Sequence, residues 1–461
     1  MRGAWSFHCS RVRLDLWSVP LSLPHNALAF IAVLYTFVIL THLVVQMVLA
    51  QLNFRLQNKQ ARILNAQVNE ALDSDTFPSV SVIYPVYNES PAVLQSVLEH
   101  AAKCLAIPRL EILVIDDGST NLDELEPVYD AYRGDRIRVA FVSNGGKRTA
   151  QRVGFDMANG EYIVTVDSDT LITPDGVCNA LAPMMLDPAI GATTGEVRVA
   201  NQNSNFLTHL IGIRYWLAFN VERAAQSFCK SMLCCSGPFS VYRSSVIDAV
   251  KKSYAEQLFF GKKCTYGDDR HLTNLVIGIG YKTRYQQGGL AYTYVPETLP
   301  LYISQQTRWN KSFYRELWWT LKFASRVHDY ALWDMVLQPL LFLGFLFILG
   351  LDLSYAIRSS APSVLLFLLP IWTLMALSRG LYGLVRTGRS EFLLIVVYTL
   401  LHITVLMPVR LKAMVTLSDN SWGTRATGPR YAFGDFGLWF GLYVALIAGA
   451  AIGISASGLR L

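Results

Sequence analysis

The sequence predicts an α/β domain with a mainly parallel sheet, fused to an α-helical transmembrane bundle with interfacial helices. The chain has 461 residues, 52% of them hydrophobic, and its mean hydropathy of +0.30 is high for a soluble enzyme and low for a transporter. Long apolar stretches lie near both ends and flank a region with charges throughout. Inside that region, short hydrophobic runs alternate with helix-like segments, which is the pattern of a βαβ domain.

Residues 1–54 predict an amino-terminal segment with one membrane anchor. Residues 16–54 contain no Asp, Glu, Lys or Arg, and residues 27–50 are almost wholly apolar. At about 1.5 Å per residue, such a helix is long enough to cross a bilayer, and it is too long for the core of a signal peptide. The residues before it hold Pro20, Pro24 and three arginines, so they predict no second crossing and an amino terminus on the outer side.

Residues 55–300 predict a soluble domain whose strands end in polar side chains. The four strand-like runs are SVSVIYPVYNES (79–90), LEILVIDDGST (110–120), RIRVAFVSNGGK (136–147) and GEYIVTVDSDT (160–170). In parallel sheets ligands bind at the carboxyl ends of the strands, so this shared edge is the predicted binding site. Neither a GxGxxG motif nor a Walker P-loop follows these strands, which argues against the usual dinucleotide and ATP sites.

The strand ends suggest a metal ion and a diphosphate. Asp167 and Asp169 follow the hydrophobic strand YIVTV, and paired carboxylates suit Mg2+ or Mn2+ that also binds phosphate oxygens. A solvated turn explains most isolated DxD pairs, but here a strand directs the pair to the shared edge. Lys147 and Arg148 would neutralise the diphosphate, or they simply mark a turn and a helix start. For DDGS (116–119), a tight turn is as plausible as a functional role.

The charge balance indicates which partners the protein binds, and the cysteine content indicates the redox state of its compartment. Lys and Arg exceed Asp and Glu by only 40 to 34, and no dense basic run is present, so nucleic acid is not a predicted partner. Basic clusters beside apolar stretches instead indicate cytoplasmic edges of a lipid bilayer. The seven cysteines show neither a CxxC pair nor zinc spacing, which predicts free thiols in a reducing compartment.

Residues 301–330 predict an amphipathic helix on the membrane surface. Trp309 and Phe313 in QQTRWNKSFYRELWW (305–319) share one side of this helix. The basic residues share another side; they are Arg308, Lys311, Arg315 and Lys322. A basic amphipathic helix of this kind suits a membrane interface.

The carboxyl-terminal part predicts a membrane bundle. Apolar stretches at 331–352, 362–384 and 390–409 predict membrane helices within residues 331–417. A polar loop follows at 418–434, and a final transmembrane helix is predicted within 435–461.

Five short motifs together resemble the processive family 2 inverting glycosyltransferases, which include cellulose, chitin and hyaluronan synthases. The motifs are PVYNE (85–89), DDGS (116–119), DSD (167–169), GDDR (267–270) and QxxRW (Gln305, Arg308, Trp309). Longer blocks are similar to hyaluronan synthases, notably the bacterial type: IRYWLAFNVERAAQS (213–227), CSGPFSVYR (235–243), GDDRHLTN (267–274), QQTRWNKSFYRE (305–316) and SWGTR (421–425). The similarity extends over residues 78–430.

This resemblance implies a cytosolic GT-A-like glycosyltransferase domain in a multi-pass plasma-membrane protein that works as a monomer with Mg2+ or Mn2+. The implied activity is hyaluronan synthesis: GlcNAc and glucuronate are added alternately from UDP-GlcNAc and UDP-glucuronate, with inversion, and the nascent polysaccharide leaves through the enzyme's own channel. A chitin or chitooligosaccharide synthase using UDP-GlcNAc alone is the alternative. An inactive transporter or scaffold is a third possibility, against which the intact Asp167, Asp169 and Asp269 count.

The resemblance also implies roles around the sugar donor. The side chains implied to bind the nucleotide are Tyr87, Glu89, Asp117, Lys147, Arg148, Asp167 and Arg308. Among them, the tyrosine ring would stack on uracil, and the three cations would neutralise the leaving diphosphate. Asp169, together with Asp167, would hold the metal.

On the acceptor side, Asp269 is implied to be the general base. One base suffices for a single displacement with inversion, whereas a retaining enzyme also needs a nucleophile. Trp309 would form the floor under the acceptor sugar. Other residues implied near the acceptor or a gate are Cys235, Gly237, Asp268, Arg270, Gln305 and Trp422. Simpler explanations stay open: GDDR could cap a helix, and Cys235 could be an ordinary buried thiol.

The polar loop at 418–434 constrains the topology, because the resemblance identifies it as a gate that enters the active site. If this loop and the catalytic domain share the cytosol, an even number of crossings separates them. Three apolar stretches lie between, so one of them does not cross; the candidates are 331–352 and 390–417. The single anchor helix departs from the family, in which two helices commonly precede the catalytic domain.

Overall fold

The computed structural model describes residues 25–73, 76–359, 368–419 and 433–456. Its catalytic part is built on one eight-stranded sheet. The strands of this sheet are β1 (Val80–Val86), β2 (Leu110–Asp116), β3 (Ile137–Phe141), β4 (Tyr162–Val166), β5 (Thr170–Ile172), β6 (Ile190–Val199), β7 (Phe239–Arg243) and β10 (Lys282–Thr293). A separate hairpin is formed by β8 (Leu258–Phe259) and β9 (Lys262–Lys263).

The sheet is mainly parallel, as the sequence predicts. Its strand order is β3-β2-β1-β4-β7-β6-β10-β5. The pairs β1–β2, β2–β3, β1–β4 and β6–β10 are parallel, whereas β7 is antiparallel to β4 and β6, and β5 is antiparallel to β10. All seven residues of β1 are buried. A strand that is covered on both faces of the sheet is expected to be a near-continuous hydrophobic run, as β1 is.

Strand register explains why the polar segments meet. Val80 lies opposite Leu110, and Val86 lies opposite Asp116, so β1 and β2 end level with each other. The parallel partner β4 runs alongside β1 from Tyr162 onward. The residues that follow β1, β2 and β4 therefore leave the sheet at the same edge.

Helices cover the sheet and lead into the membrane part. Those of the catalytic domain are α2 (Pro91–Lys103), α3 (Leu122–Tyr132), α4 (Lys147–Met157), α5 (Pro174–Leu186), α6 (Phe206–Leu217), α7 (Ala224–Phe228), α8 (Ser244–Ala255), α9 (Asp268–Gly278) and α10 (Leu299–Lys322). The other helices are α1 (His25–Asp73), α11 (Asp329–Ser359), α12 (Leu368–Thr387), α13 (Ile395–Leu401), α14 (Met407–Val415) and α15 (Phe433–Ala456).

Helix α1 continues without a break past residue 54, where the sequence predicts the end of the anchor. Its second half packs on the catalytic domain. The side-chain amide of Gln57 donates to the Tyr285 carbonyl at 2.7 Å, and the Gln287 amide donates to Gln57 Oε1 at 3.0 Å. One helix thus joins the membrane segment to the core of the sheet.

The protein is membrane-bound. Four helical segments among the described residues are long and apolar enough to cross a bilayer: Val33–Asp73, Asp329–Ser354, Ser390–Val415 and Asp435–Ala456. Helix α12 is not one of these four, and residues 360–367 before it lie outside the described part. Which apolar stretch does not cross stays a prediction.

The segment Ser390–Val415 is an irregular helix. It consists of a 3-10 turn (Ser390–Leu394), α13, a π-helical turn (His402–Leu406) and α14. Its Tyr398 hydroxyl lies 2.8 Å from the Tyr302 hydroxyl of α10. Irregular backbone at membrane depth is tolerated where it is buried in protein or lines a cavity, so this segment packs as part of the bundle interior.

Helix α10 corrects one prediction. Lys311 and Arg315 are 1% and 2% exposed, so they do not lie on a membrane surface. The Lys311 ammonium pairs with Asp419 at 2.8 Å, and Arg315 Nε donates to the Leu417 carbonyl at 2.8 Å. The amphipathic pattern correctly shows that the two cations share a face, but that face is covered by residues 417–419. Trp318 is exposed, and the interfacial placement of the helix stays a prediction.

Candidate active site

A cleft of about 1270 Å³ lies at the edge where β1, β2 and β4 end. Most of the residues predicted for the site line it. They are Tyr87, Glu89, Asp117, Lys147, Asp167, Asp169, Gly237, Asp268, Asp269, Arg270, Gln305, Arg308 and Trp309. The structure thus brings together motifs from positions 87 to 309 of the chain. Trp422 lies outside the described residues.

The polar residues after β1 and β2 form one end of the cleft. Asp117 accepts hydrogen bonds from the backbone N–H groups of Gly145 and Gly146 at 2.9 and 2.8 Å, which connects β2 to the Gly-Gly turn before α4. Burial raises the pKa of Asp117, and these two bonds oppose that shift. Glu89 accepts from the Ser168 hydroxyl at 2.8 Å. The loops at this edge are therefore bonded to one another.

Tyr87 is exposed to the cleft and can contact a ligand, whereas Asp116 is buried and only holds its own loop. The Tyr87 side chain is 37% exposed, so its ring can receive a flat ligand such as a base. Asp116 is fully buried and accepts from the Tyr129 hydroxyl at 2.6 Å and the Ser119 amide at 2.8 Å. Of the acids in DDGS, only Asp117 lines the cleft.

Lys147 lies between two carboxylates in the middle of the cleft. Its Nζ is 2.6 Å from Asp167 Oδ1 and 2.7 Å from Asp268 Oδ2. Burial alone would lower the pKa of Lys147, but the two carboxylates outweigh it and hold the pKa well above its usual value. Burial also raises the pKa of Asp167 to about 6, with Lys147 opposing and Asp169 adding to the shift. A phosphate group entering here would meet a cation that is already in place.

Gly237 belongs to the same wall. A Cβ built at this position would lie 3.4 Å from Lys147 Nζ and 3.5 Å from Asp167 Oδ2. These are ordinary contact distances, so Gly237 places its backbone beside the ion pair without being the one residue that fits there.

The donor set suits a divalent ion that is shared with a substrate. Asp169 accepts from the Thr293 hydroxyl at 3.0 Å, and Asp167 lies beside it on the same loop. Among the described residues, no group of three or more His, Cys, Asp or Glu side chains forms a complete metal site. Mg2+ and Mn2+ are commonly held by one or two carboxylates together with phosphate oxygens and water, and these two aspartates fit that arrangement.

Asp268 and Asp269 begin α9, after Gly267 with φ of +80°. Their surroundings differ. Asp268 is tied to Lys147, and although burial would raise the pKa of Asp268, the lysine lowers it below its usual value. Asp269 accepts from the Arg270 amide at 2.8 Å and from the Cys234 thiol at 3.4 Å. Of these two acids, Asp269 is therefore the one outside the ion pair with Lys147.

Cys234, not Cys235, faces the cleft. Cys235 is fully buried, and its backbone N–H donates to the Thr273 hydroxyl at 2.8 Å, so it does not line the cleft as predicted, whereas its neighbour Cys234 does. Burial raises the pKa of the Cys234 thiol to about 11. It therefore keeps its proton at neutral pH and acts as a donor to Asp269, not as a nucleophile.

Arg148 also lies elsewhere than predicted. Its guanidinium is buried, donates to the carbonyls of Tyr266 and Tyr254 at 3.1 and 3.4 Å, and lies 5.4 Å from the Tyr254 ring centre. The side chain supports the loop before Gly267 and is not among the residues that line the cleft in the described chain. The predicted contact with the diphosphate is therefore not supported for Arg148.

The first turns of α10 form the opposite wall. Trp309 is 43% exposed, and its ring centre lies 6.1 Å from that of Tyr215. The buried Oε1 atom of Gln305 has no hydrogen-bond partner among the described residues. An aromatic ring next to a free hydrogen-bond acceptor suits a sugar. The ring can pack on the C–H face of the sugar, and the amide oxygen can accept a hydrogen bond from a sugar hydroxyl.

The cleft extends into the membrane part, for which the resemblance implies an export channel; that channel stays a prediction. The deeper lining of the cleft includes Glu222, Arg223, Asp334, Tyr398, His402 and Arg410. Asp334 lies in an apolar stretch, accepts from Gln226 Nε2 at 2.6 Å and lies 3.2 Å from His42 Nε2 of α1. A charged residue inside an apolar stretch usually marks a functional path, and this signal was present in the sequence.

Comparison with known proteins agrees with this site. The model of "Glycosyl transferase family 2" matches residues 81–251. An N-acetylglucosaminyltransferase of Rhizobium sp. (strain N33) is 36% identical over 363 residues, covering 78% of this chain and 79% of the relative. A second N-acetylglucosaminyltransferase, from Sinorhizobium fredii (strain NBRC 101917 / NGR234), is 36% identical over 354 residues, covering 76% and 84%.

Among solved structures, one match has a low level of similarity. The mannosyltransferase PcManGT from Pyrobaculum calidifontis, in complex with GDP-Man and Mn2+, is 16% identical with a TM-score of 0.43, and the alignment covers 89% of this chain and 99% of that one. A likeness this weak carries no inference about donor or metal.

Proposed function

Because the chain belongs to glycosyltransferase family 2 and is 36% identical to two rhizobial N-acetylglucosaminyltransferases, we propose that it transfers GlcNAc from UDP-GlcNAc to a growing polysaccharide. One observation carries the proposal. A single cleft contains the Asp167–Lys147–Asp268 ion pairs, Asp269 and the ring of Trp309, and it continues between membrane helices. The ion pairs suit a nucleotide diphosphate, Asp269 suits a general base, and the Trp309 ring suits an acceptor sugar. The continuation between membrane helices suits a long product.

The donor is held by residues after β1, β2 and β4. Tyr87 stacks on the uracil ring, and the loop anchored by Asp117 surrounds the uridine. Lys147 and Arg308 neutralise the negative charge that develops on the leaving diphosphate. When bound, Mg2+ or Mn2+ would be held by Asp169 and Asp167 and would supply further positive charge to the same phosphates.

The acceptor sugar rests on Trp309 with a hydroxyl at Asp269. Asp269 takes the hydroxyl proton while the hydroxyl oxygen forms the new bond to the anomeric carbon of GlcNAc. The bond from that carbon to the diphosphate oxygen breaks, and UDP leaves with the electron pair. A single displacement inverts the anomeric centre and needs one base only.

The product leaves along the same cleft. Residues of α11 and of the segment Ser390–Val415 line its deeper part, and both segments are long and apolar enough to cross a bilayer. The proposal therefore includes export of the nascent chain between these helices.

A second candidate is hyaluronan synthesis, in which glucuronate from UDP-glucuronate alternates with GlcNAc. Three arginines in the cleft favour it: Arg223 and Arg270 lie over the rings of Phe219 and Phe313, at 4.2 and 5.4 Å, and Arg410 Nε donates to Asn310 at 3.3 Å. The nearby carboxylate of Glu222 pairs instead with Arg214 and Arg379, and no ion pair among the described residues involves these three arginines. Such cations suit an anionic sugar, and the blocks at 235–243 and 305–316 resemble hyaluronan synthases.

An assay of isolated membranes with labelled donors tests both candidates. We expect UDP-GlcNAc alone to give UDP and a GlcNAc oligomer that chitinase degrades. Polymer formed only when UDP-glucuronate is also present, and degraded by hyaluronidase, would instead establish the second candidate. No UDP release from either donor, alone or together, would overturn both.

The thiol of Cys234 gives a smaller prediction. Cys234→Ser keeps a donor toward Asp269, whereas Cys234→Ala removes it. We expect UDP release by the serine variant to stay close to wild type and kcat of the alanine variant to fall about 2- to 10-fold, since one hydrogen bond is worth about 0.5–1.5 kcal/mol. Equal rates in the two variants would show that the thiol does not orient the base.

A further inference from the structure

Helices α9 and α10 meet at a buried carboxylate outside the cleft. Glu316 of α10 is 4% exposed. Its Oε2 accepts from Asn274 Nδ2 at 2.9 Å and lies 3.2 Å from His271 Nδ1, both on α9, and its Oε1 accepts from Gln257 Nε2 at 2.5 Å. Glu316 lies about two turns after Trp309 on α10, and His271 lies two residues after Asp269 on α9. One side chain thus joins the helix of the base to the helix of the acceptor platform.

Glu316 is a charged group in the protein interior. Burial alone would raise the pKa of Glu316, but hydrogen bonds from His271, Gln257 and Asn274 outweigh it and lower the pKa below its usual value. A buried carboxylate is tolerated only when its oxygens are bonded, and here both oxygens are. His271 is itself fixed, because it is fully buried and its ring centre lies 4.8 Å from that of Trp319, edge to face.

A second close contact fixes the start of α9. Gly267 has φ of +80°, and a Cβ there would lie 2.5 Å from the Ser312 hydroxyl oxygen of α10. The amino-terminal end of α9 therefore abuts α10 directly. Together with Glu316, this contact sets how α9 lies on α10, and so how far Asp269 is from Trp309.

We propose that Glu316 is a positioning residue of the transfer reaction. Through His271 and Asn274 it holds α9 so that Asp269 reaches the hydroxyl of a sugar resting on Trp309. Glu316 is not among the residues that line the cleft in the described chain, so it acts through α9 and not on the substrate. The inference rests on the proposed function and adds to it a role for a residue to which the motif at 305–316 assigns none.

Glu316→Gln tests this inference, because it preserves size but removes the charge and turns an amide NH2 group toward a donor. We expect kcat for UDP release to fall about 10- to 100-fold, since a misplacement of about 1 Å can cost 10²-fold in rate. The KM for UDP-GlcNAc is expected to stay within about 2-fold, because the donor is bound by other residues. Glu316→Asp keeps the charge with a shorter side chain and is expected to lower kcat less, again without a change in KM.

The matched control is Thr320→Val on the same helix. It removes the 2.8 Å hydrogen bond from Thr320 to Asn274 Oδ1, one turn further from the cleft. We expect it to lower the melting temperature of the detergent-solubilised protein about as much as Glu316→Gln does, with kcat within about 2-fold of wild type.

The outcomes separate this inference from the proposed function. If the wild-type chain releases no UDP from UDP-GlcNAc, the proposed function fails. If the wild-type chain is active and both Glu316 variants keep its kcat, the positioning role alone fails. It also fails if Thr320→Val loses as much kcat as Glu316→Gln, or if KM rises in step with the loss of kcat, because either result indicates a general loss of structure. Should the glutamine variant not fold, Glu316→Asp carries the test by the same criteria.

Discussion

Replacing Asp269 by asparagine is expected to lower the rate of polymer synthesis by about 10²- to 10⁴-fold, the usual contribution of a general base. Asparagine has nearly the same shape, and its side-chain oxygen can still accept from the Cys234 thiol, which bonds Asp269 at 3.4 Å. The variant is therefore expected to fold and to bind UDP-GlcNAc normally. UDP release measures the first expectation, and calorimetric binding of UDP-GlcNAc measures the second.

The prediction depends on choosing between two adjacent carboxylates. Asp268 is bonded to Lys147 at 2.7 Å, so its charge serves the phosphate end of the cleft. Asp269 points to the side of Cys234, away from that ion pair. Asp248→Asn is a suitable control, because this acid is exposed on α8 and pairs only with surface Lys251 among the described residues. Near-normal turnover in Asp269→Asn would remove it as the base, and lost donor binding would assign it to the nucleotide.

Much of the candidate site was predictable from the sequence, because many of its residues directly follow the carboxyl ends of the parallel strands. Hydrophobic runs identify β1, β2 and β4, and parallel strands necessarily bring their carboxyl ends to one edge. The residues Tyr87, Asp117 and Asp167 follow directly from this rule, and the structure places all three in the cleft. The prediction needed no knowledge of tertiary contacts.

Adjacent residues mark the limit of such reasoning. Lys147 and Arg148 begin α4, where successive side chains point about 100° apart, and here only Lys147 lines the cleft. Cys234 and Cys235 pose the same problem in a segment without regular secondary structure. The sequence contains both members of each pair, but the choice depends on how the segment is rotated against its neighbours.

Buried charges mark a second limit. The basic side of α10 looks like a membrane-facing surface until its partners are known. Lys311 and Arg315 bond to residues 417–419, which lie in a distant part of the chain. A helical pattern shows which residues share a face, but it does not show what covers that face.

Lys147→Met is expected to have the second large effect. It removes the cation that lies 2.6 Å from Asp167 and 2.7 Å from Asp268. These side chains are partly buried, so the expected cost lies between the about 0–1 kcal/mol of an exposed ion pair and the about 3–5 kcal/mol of breaking a fully buried one. The substitution also removes positive charge from the leaving diphosphate, so a loss of about 10²- to 10³-fold in kcat/KM for UDP-GlcNAc is expected. Donor binding, UDP release and thermal unfolding in detergent measure these effects.

The stability loss is expected to depend on pH in a definite direction. Burial already raises the pKa of Asp167 to about 6, and Lys147 opposes this rise, so the variant has a still higher pKa at Asp167. A carboxyl group with a raised folded-state pKa stabilises the fold below its unfolded pKa, and this contribution is lost as pH rises through the folded value. The difference in melting temperature between wild type and Lys147→Met should therefore grow as the pH rises from about 5 to about 8, through and above the Asp167 pKa of about 6 in the wild type.

Lys251→Met provides the matched comparison. Lys251 also bridges two carboxylates, Asp156 and Asp248, each at 2.9 Å, but it lies on α8 at the surface. Exposed ion pairs contribute only about 0–1 kcal/mol, so this variant is expected to keep its activity and nearly all its stability at every pH. If Lys147→Met behaved like Lys251→Met, the cation between Asp167 and Asp268 would not serve the diphosphate.

Lys147→Arg separates the effect of charge from that of geometry. It keeps a positive charge but replaces a compact ammonium group with a planar guanidinium. We expect its loss of kcat/KM to lie between those of wild type and Lys147→Met.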